Sequence, residues 1–189
     1  MGKRADRPPR RLTRRELQAI VARRRPFVLV ASEFNRAITR SLVDGAQQVL
    51  QDSGVARRQI RTLWVPGVFE LPVAAAAAAT RLHPEAIIAL GCVIKGQTPQ
   101  YTAIGQAAAE GLAQVSVSTQ IPVTFGVIIA ESVAQATARA GGQAGHRGRE
   151  AALAALAMVK LLETLTPDRV TRNGRLPSAR AGILPTRPH

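Results

Sequence analysis

Lys95-Gly96-Gln97-Thr98-Pro99-Gln100 is the stretch whose residue types could do chemistry together. It follows an apolar run at 87–94, breaks at Gly96 and restarts with helical spacing. A short apolar run bounded by turn signals suits a strand buried on both faces. Thr98 suits an N-cap, and Pro99 at the first helical position gives up nothing by lacking an N–H. The amides of Gly96 and Gln97 and the free N–H groups of the first helical turn would then converge on one point. Such a point suits an anion such as phosphate, and Lys95 adds a formal charge. The plain alternative is a tight βα turn that binds nothing. Arg139 and Arg147 flank a glycine-rich link and offer either solvated charge or a bidentate grip on phosphate. Glu70 brings a carboxylate after a second glycine turn, although a carboxylate there also suits a helix dipole. His83, His146 and His189 show no metal-ligand spacing. The single cysteine, Cys92, excludes an internal disulfide and a Cys-based zinc cluster, and is expected to be a buried, inert thiol in a reducing cytoplasm.

Alternating strands and helices must position these groups. The sequence predicts strands at 26–31, 61–65, 87–94 and 122–129. An amphipathic helix follows the first strand, with Ile38, Leu42, Ala46, Val49 and Leu50 on one face and Gly54 as its end. An Ala-rich helix is predicted at 73–82. A third carries Ile104, Ala107, Ala108, Gly111, Leu112 and Val115 on one face; a short one spans 132–140, and a long one follows Gly148 to about residue 165. Leu17, Ile20 and Val21 suit a short helical or extended lead-in. Phe34, at the exit of the first strand, either plugs the helix–sheet seam or stacks on a planar ligand. Gly126 inside a strand signals close approach to the backbone. This alternation gives a parallel sheet covered on both faces with right-handed crossovers. Ligands of such sheets bind beyond the carboxyl ends of the strands, where Phe34-Asn35, residues 67–70 and residues 92–100 all fall.

Composition narrows the class. The net charge of +14 is unevenly spread: residues 1–25 hold +8, residues 167–189 hold +4, and the middle is left with +2. A nearly neutral body argues against a folded face for nucleic acid and leaves basic tails open to RNA or acidic cargo. The predicted organisation is a basic arm at 1–25, disordered to about Leu12, a domain at 26–166 and a basic tail at 167–189. No stretch reaches transmembrane length, and the charged N-terminus lacks the apolar segment of a secretory signal.

Taken together, FNRAIT, VPGVFELPVAA, GCVIKGQTPQY, PVTFGV and RAGGQAGHRGREAALAALAM occur in the order and spacing of lumazine synthases, and the resemblance covers roughly residues 26–165. It implies a flavodoxin-like three-layer αβα sandwich with a four-stranded parallel sheet, which a strand from a neighbouring subunit can extend. It also implies condensation of 5-amino-6-ribitylaminouracil with 3,4-dihydroxy-2-butanone 4-phosphate to 6,7-dimethyl-8-ribityllumazine, the precursor of riboflavin, with no metal and no cofactor. By position, Phe34 stacks on the uracil ring with Asn35 alongside. Gly67, Val68, Phe69 and Glu70 hold the ribityl chain. Cys92, Val93 and Ile94 meet the pyrimidine edge through backbone groups. Gly96, Gln97, Thr98 and Arg139 hold the phosphate, which makes Arg139 a catalytic candidate. Phe125 and Arg147 line the site from a neighbouring subunit, Arg147 standing where a lysine is usual. The family assembles as pentamers, with decamers and 60-subunit shells as larger forms and riboflavin synthase as an enclosed partner.

The chain departs from the family at Gln100, where the family has a histidine proposed as general acid/base. An amide does not titrate near neutral pH and cannot shuttle a proton as imidazole does. His146 replaces the asparagine usual in the later motif. Two expectations follow: a synthase that works without the histidine, or a shell, scaffold or flavin/lumazine-binding protein whose basic tails recruit acidic cargo. The intact ligand-facing motifs favour the enzyme.

Overall fold

The computed structural model describes residues 12–165. The disorder expected before Leu12 and the tail at 167–189 lie outside these residues. The elements run α1 (Arg14–Ala22), β1 (Phe27–Ser32), α2 (Arg36–Asp52), β2 (Ile60–Val65), α3 (Leu71–Leu82), β3 (Ala86–Ile94), α4 (Gln100–Thr119), β4 (Val123–Ala130), α5 (Val133–Arg139), β5 (Ala140–Gly142), β6 (Gly145–His146) and α6 (Arg147–Leu165). A 3-10 turn at Arg57–Gln59 leads into β2. The four long strands form a parallel sheet in the order β2-β1-β3-β4. This is the parallel sheet covered on both faces that the alternation predicts, and the flavodoxin-like sandwich that the resemblance implies.

Both central strands are apolar along their length because helices cover both faces. Phe27, Leu29 and Ala31 of β1 with Ile88, Leu90 and Cys92 of β3 meet Leu42, Ala46 and Leu50 of α2 and Ala152, Ala155 and Leu156 of α6. The alternate residues, Val28, Val30, Ile87, Ala89 and Val93, meet Leu71, Ala75 and Ala79 of α3 and Ala108, Leu112 and Val115 of α4. The alternation in β1 and β3 thus divides one apolar run between two cores. The close approach signalled by Gly126 is internal packing. A Cβ there would lie 2.5 Å from Leu90 Cδ2 and 3.0 Å from Ala151 Cβ, so the position lets α6 settle onto the sheet.

The lead-in before β1 is helical. Ile20 is buried in the first core, with Leu12 and Leu17 packed against it. Arg23, just past α1, reaches Glu163 at 2.9 Å and Glu85 at 3.7 Å, tying α1 to the end of α6 and the start of β3. Two elements differ from expectation. The glycine-rich link is an antiparallel hairpin, β5 against β6, in which Gly141 and Gly145 take positive φ of 118° and 98°. The last helix begins at Arg147 rather than after Gly148. Among the described residues no helix is long and apolar enough to cross a membrane.

Candidate active site

The strand order reverses between β1 and β3, and the sheet opens there. The β1–β3 pairing stops at Ala31–Leu90, whereas β3 continues beside β4 to Ile94–Ala130. Residues 92–94 of β3 therefore run past Ser32, the end of β1, where the chain turns away. A crevice at the carboxyl ends of strands, at such a switch point, is where an α/β sheet places a ligand.

Hydrogen bonds fasten the strand exits around this opening. Glu33 N donates to Val65 O at 2.7 Å and Phe34 N to Pro66 O at 3.1 Å, joining the exits of β1 and β2. Asn35 Nδ2 donates to Cys92 O at 2.9 Å, joining β1 to β3. Lys95 N donates to Ala130 O at 2.8 Å, joining β3 to β4. Asn35 stands at φ 57°, ψ 40°, a left-handed conformation that asparagine tolerates better than most residues and one typical of functional turns. That turn leaves Phe34 70% exposed. Val68 is buried and anchors the next segment, while Phe69 beside it is 63% exposed. The Glu70 carboxylate folds back over Gly67, within 2.9 Å of where a Cβ would stand. Two bare aromatics on fastened loops offer flat apolar surface to a planar ligand.

Cys92 is fully buried, and burial pushes its thiol up to about 11, so it stays protonated and inert. Its carbonyl accepts the hydrogen bond from the Asn35 amide. Residues 95–100 are all exposed. Thr98 does not cap α4. Pro99 holds the N-cap position with φ −71° and ψ 7°, no side chain caps it, and the first turn closes from Pro99 O to Thr102 N at 3.1 Å. The tight closure from Pro99 starts the helix one residue later and leaves the threonine outside it. Gln100 is then the first residue of α4, in the place where a helix N-terminus favours an anion. Gly96 has an ordinary backbone conformation, and a Cβ on it would meet nothing within 4 Å. Neither backbone strain nor packing within this chain calls for glycine there.

Arg139, which the resemblance gives to the phosphate, and Arg147, which it gives to a site lined from a neighbouring subunit, lie together. Arg139 donates to Ala144 O at 2.6 Å and to Glu150 Oε2 at 3.1 Å. Arg147 reaches the same Oε2 at 3.3 Å. The hairpin makes this possible, since it folds the end of α5 back beside the start of α6. Glu150 went unnoticed in the sequence. Its three-residue spacing from Arg147 was a visible signal, but its bond to Arg139 depends on the hairpin. Phe125 lies apart from this rim, opposite Ala89 and five residues short of the end of β3, roughly 17 Å back along the strand. It sits on the edge strand β4, partly buried against α3 and α4.

The family model for 6,7-dimethyl-8-ribityllumazine synthase matches residues 25–163. Proteins of that name from Xanthomonas campestris pv. campestris (strain B100) and Stenotrophomonas maltophilia (strain K279a) are each 47% identical over 139 residues, 74% of this chain and 90% of theirs. One from Coxiella burnetii (strain RSA 493 / Nine Mile phase I) is 41% identical over 139 residues, 74% of this chain and 92% of its own. The match takes in all five sheet-edge and helix motifs and every residue of the rim, so the chain belongs to the 6,7-dimethyl-8-ribityllumazine synthase family, transferases of riboflavin biosynthesis.

Proposed function

We propose that this chain condenses 5-amino-6-(D-ribitylamino)uracil with 3,4-dihydroxy-2-butanone 4-phosphate to 6,7-dimethyl-8-ribityllumazine, and that it does so with Gln100 where relatives of the resemblance carry a histidine. The observation that carries the reading is Gly96: an exposed glycine that the chain's own packing does not require, at the mouth of a helix N-terminus beside the sheet's switch point. A phosphate approaching that backbone gives the glycine its reason. Gln97 and Thr98 extend the same turn. Phe34 stacks on the uracil ring beside Asn35, residues 67–70 take the ribityl chain, and the backbone of Cys92, Val93 and Ile94 meets the pyrimidine edge.

The chemistry begins with attack of the uracil's amine on the ketone, and phosphate leaves later. Holding the two reactants together supplies much of the barrier reduction. General acid/base help is typically worth about 10²–10⁴-fold. Gln100 can orient a hydroxyl or water but cannot take its proton, so proton transfer falls to water and the departing phosphate. A slower synthase whose pH–rate profile lacks a limb near the imidazole range follows.

Phe125 and the arginines of the hairpin complete the site from an adjacent copy in a pentamer or a larger shell. A neighbour's strand would extend the sheet at an edge, and the assembly would work in the cytoplasm, with riboflavin synthase or acidic cargo as enclosed partners.

The test follows lumazine fluorescence with both substrates, for wild type, Gln100→His and a no-enzyme control. Wild-type product well above the control, with a further gain in the variant, is the expected result. Product no faster than the control in wild type would overturn the reading and favour a shell or a ligand carrier.

A further inference from the structure

Glu150 is the hub of the arginine pair, and the proposed function gives it no task. One of its oxygens takes a bond from Arg139 of α5 and another from Arg147 of α6. All three side chains are partly exposed. Two guanidinium groups this close repel each other, and long solvated side chains spread apart unless something holds them. A shared carboxylate supplies that hold. The Ala144 carbonyl fixes a second edge of Arg139, so this guanidinium is pinned at two points. A guanidinium has five donors in a rigid fork, and each arginine keeps donors beyond those used here. Two cations against one anion also leave the cluster one positive charge in excess.

We propose that Glu150 is a positioning residue that sets Arg139 and Arg147 as one two-armed clamp for the phosphate of the butanone substrate. The proposal rests on the functional reading above for the identity of that substrate; the clamp itself rests on the shared oxygen. Charge and position make opposite demands here, which gives the test its force. If Glu150 only neutralised the arginines, removing its charge would leave two bare cations and tighten anion binding. If it positions them, removing it loosens anion binding although the charge has become more favourable.

The experiment uses the full chain with Glu150→Gln and Glu150→Asp, and thermal melts verify that each variant is folded. Inorganic phosphate binding is measured by calorimetry, and KM is measured separately for each substrate. The glutamine keeps one acceptor and cannot serve both arginines as an anion. We expect it to weaken phosphate binding, and to raise KM for the butanone phosphate, roughly tenfold, the size of one lost charge-assisted hydrogen bond. KM for the ribitylaminouracil should stay within about twofold, a split that general destabilisation would not produce. The aspartate keeps the charge on a stem one carbon shorter and should fall between wild type and glutamine. Phosphate affinity unchanged or tighter in Glu150→Gln overturns the clamp, whatever the catalytic rate. A wild type that binds phosphate with this dependence on Glu150 yet forms no lumazine leaves the clamp standing and overturns the condensation reading instead.

Discussion

His146 sets a pH limit on the hairpin that carries the arginines. Its ring packs against Gly45 of α2 and lies near Gly141 of β5, and its Nδ1 is buried without a hydrogen-bond partner among the described residues. Burial lowers its pKa from the ordinary 6.5, and Arg149 pushes the same way, while Glu150 pushes back less strongly. On α2 the neutral Ser41 lies against the hairpin, its hydroxyl donating to Ala140 O at 2.5 Å. The folded protein thus holds this ring neutral at a pH where the unfolded chain already binds a proton. Its stability contribution is full above about 6.5 and is lost as pH falls toward the lowered folded value. The melting temperature of wild type should therefore drop on going from neutral to mildly acid pH. His146→Asn, which has nothing to protonate there, should show a smaller drop in parallel melts. Equal drops in the two proteins would remove His146 as the source.

At the scale of elements, a strut from α2's entrance to β3 joins the two sides of the crevice beside the exposed Phe34. Asn35 contributes twice, through a left-handed backbone and through its amide bond to Cys92 O. Asn35→Gly keeps the first and loses the second, and Asn35→Ala loses both. The glycine variant should lose about 1 kcal/mol of stability for the hydrogen bond, and the alanine variant about 1–2 kcal/mol more for the left-handed turn, both read by denaturant unfolding. Equal losses would mean the backbone conformation carries no strain. The strands and long helices were legible because their apolar spacing is regular: β3 reads as a buried run and α2 as a single face. The hairpin was not, since β5 and β6 have only three and two residues and too few side chains to show a period. Thr98 misled because a residue type that suits an N-cap does not fix where the first turn closes. The rim could be located from motifs and fold class alone. The arginine pair could not, because Arg139 and Glu150 stand 11 residues apart and meet only through that hairpin.

At the scale of the whole molecule, one chain keeps apart two groups of residues that the proposed reaction needs. Phe34, the 67–70 segment and the turn at Gly96 line the switch point, fastened by the bonds from β1 to β2 and β3. Phe125 sits partway along an edge strand, and the arginines are tied to each other and to Glu150. Among the described residues no hydrogen bond or ion pair links the arginines to Phe34 or to residues 67–70 or 96–100. On the proposed reading the site is completed head-to-tail between copies, and this can be tested without a structure of the assembly. Phe34→Ala and Arg147→Ala should each be nearly inactive alone, since every site then lacks one half. Co-expressed in equal amounts, they assemble mixed rings in which an Arg147→Ala copy supplies the aromatic half and a Phe34→Ala neighbour the arginine half. With random assembly that arrangement occurs at roughly a quarter of the interfaces, so mixed rings should regain about a quarter of wild-type activity. Mixing two such variants cannot restore a site contained in one chain, because no chain carries both halves. Activity that stays at the average of the two parents would therefore place the whole site within each subunit. Recovery near a quarter would make the assembly itself part of the catalyst.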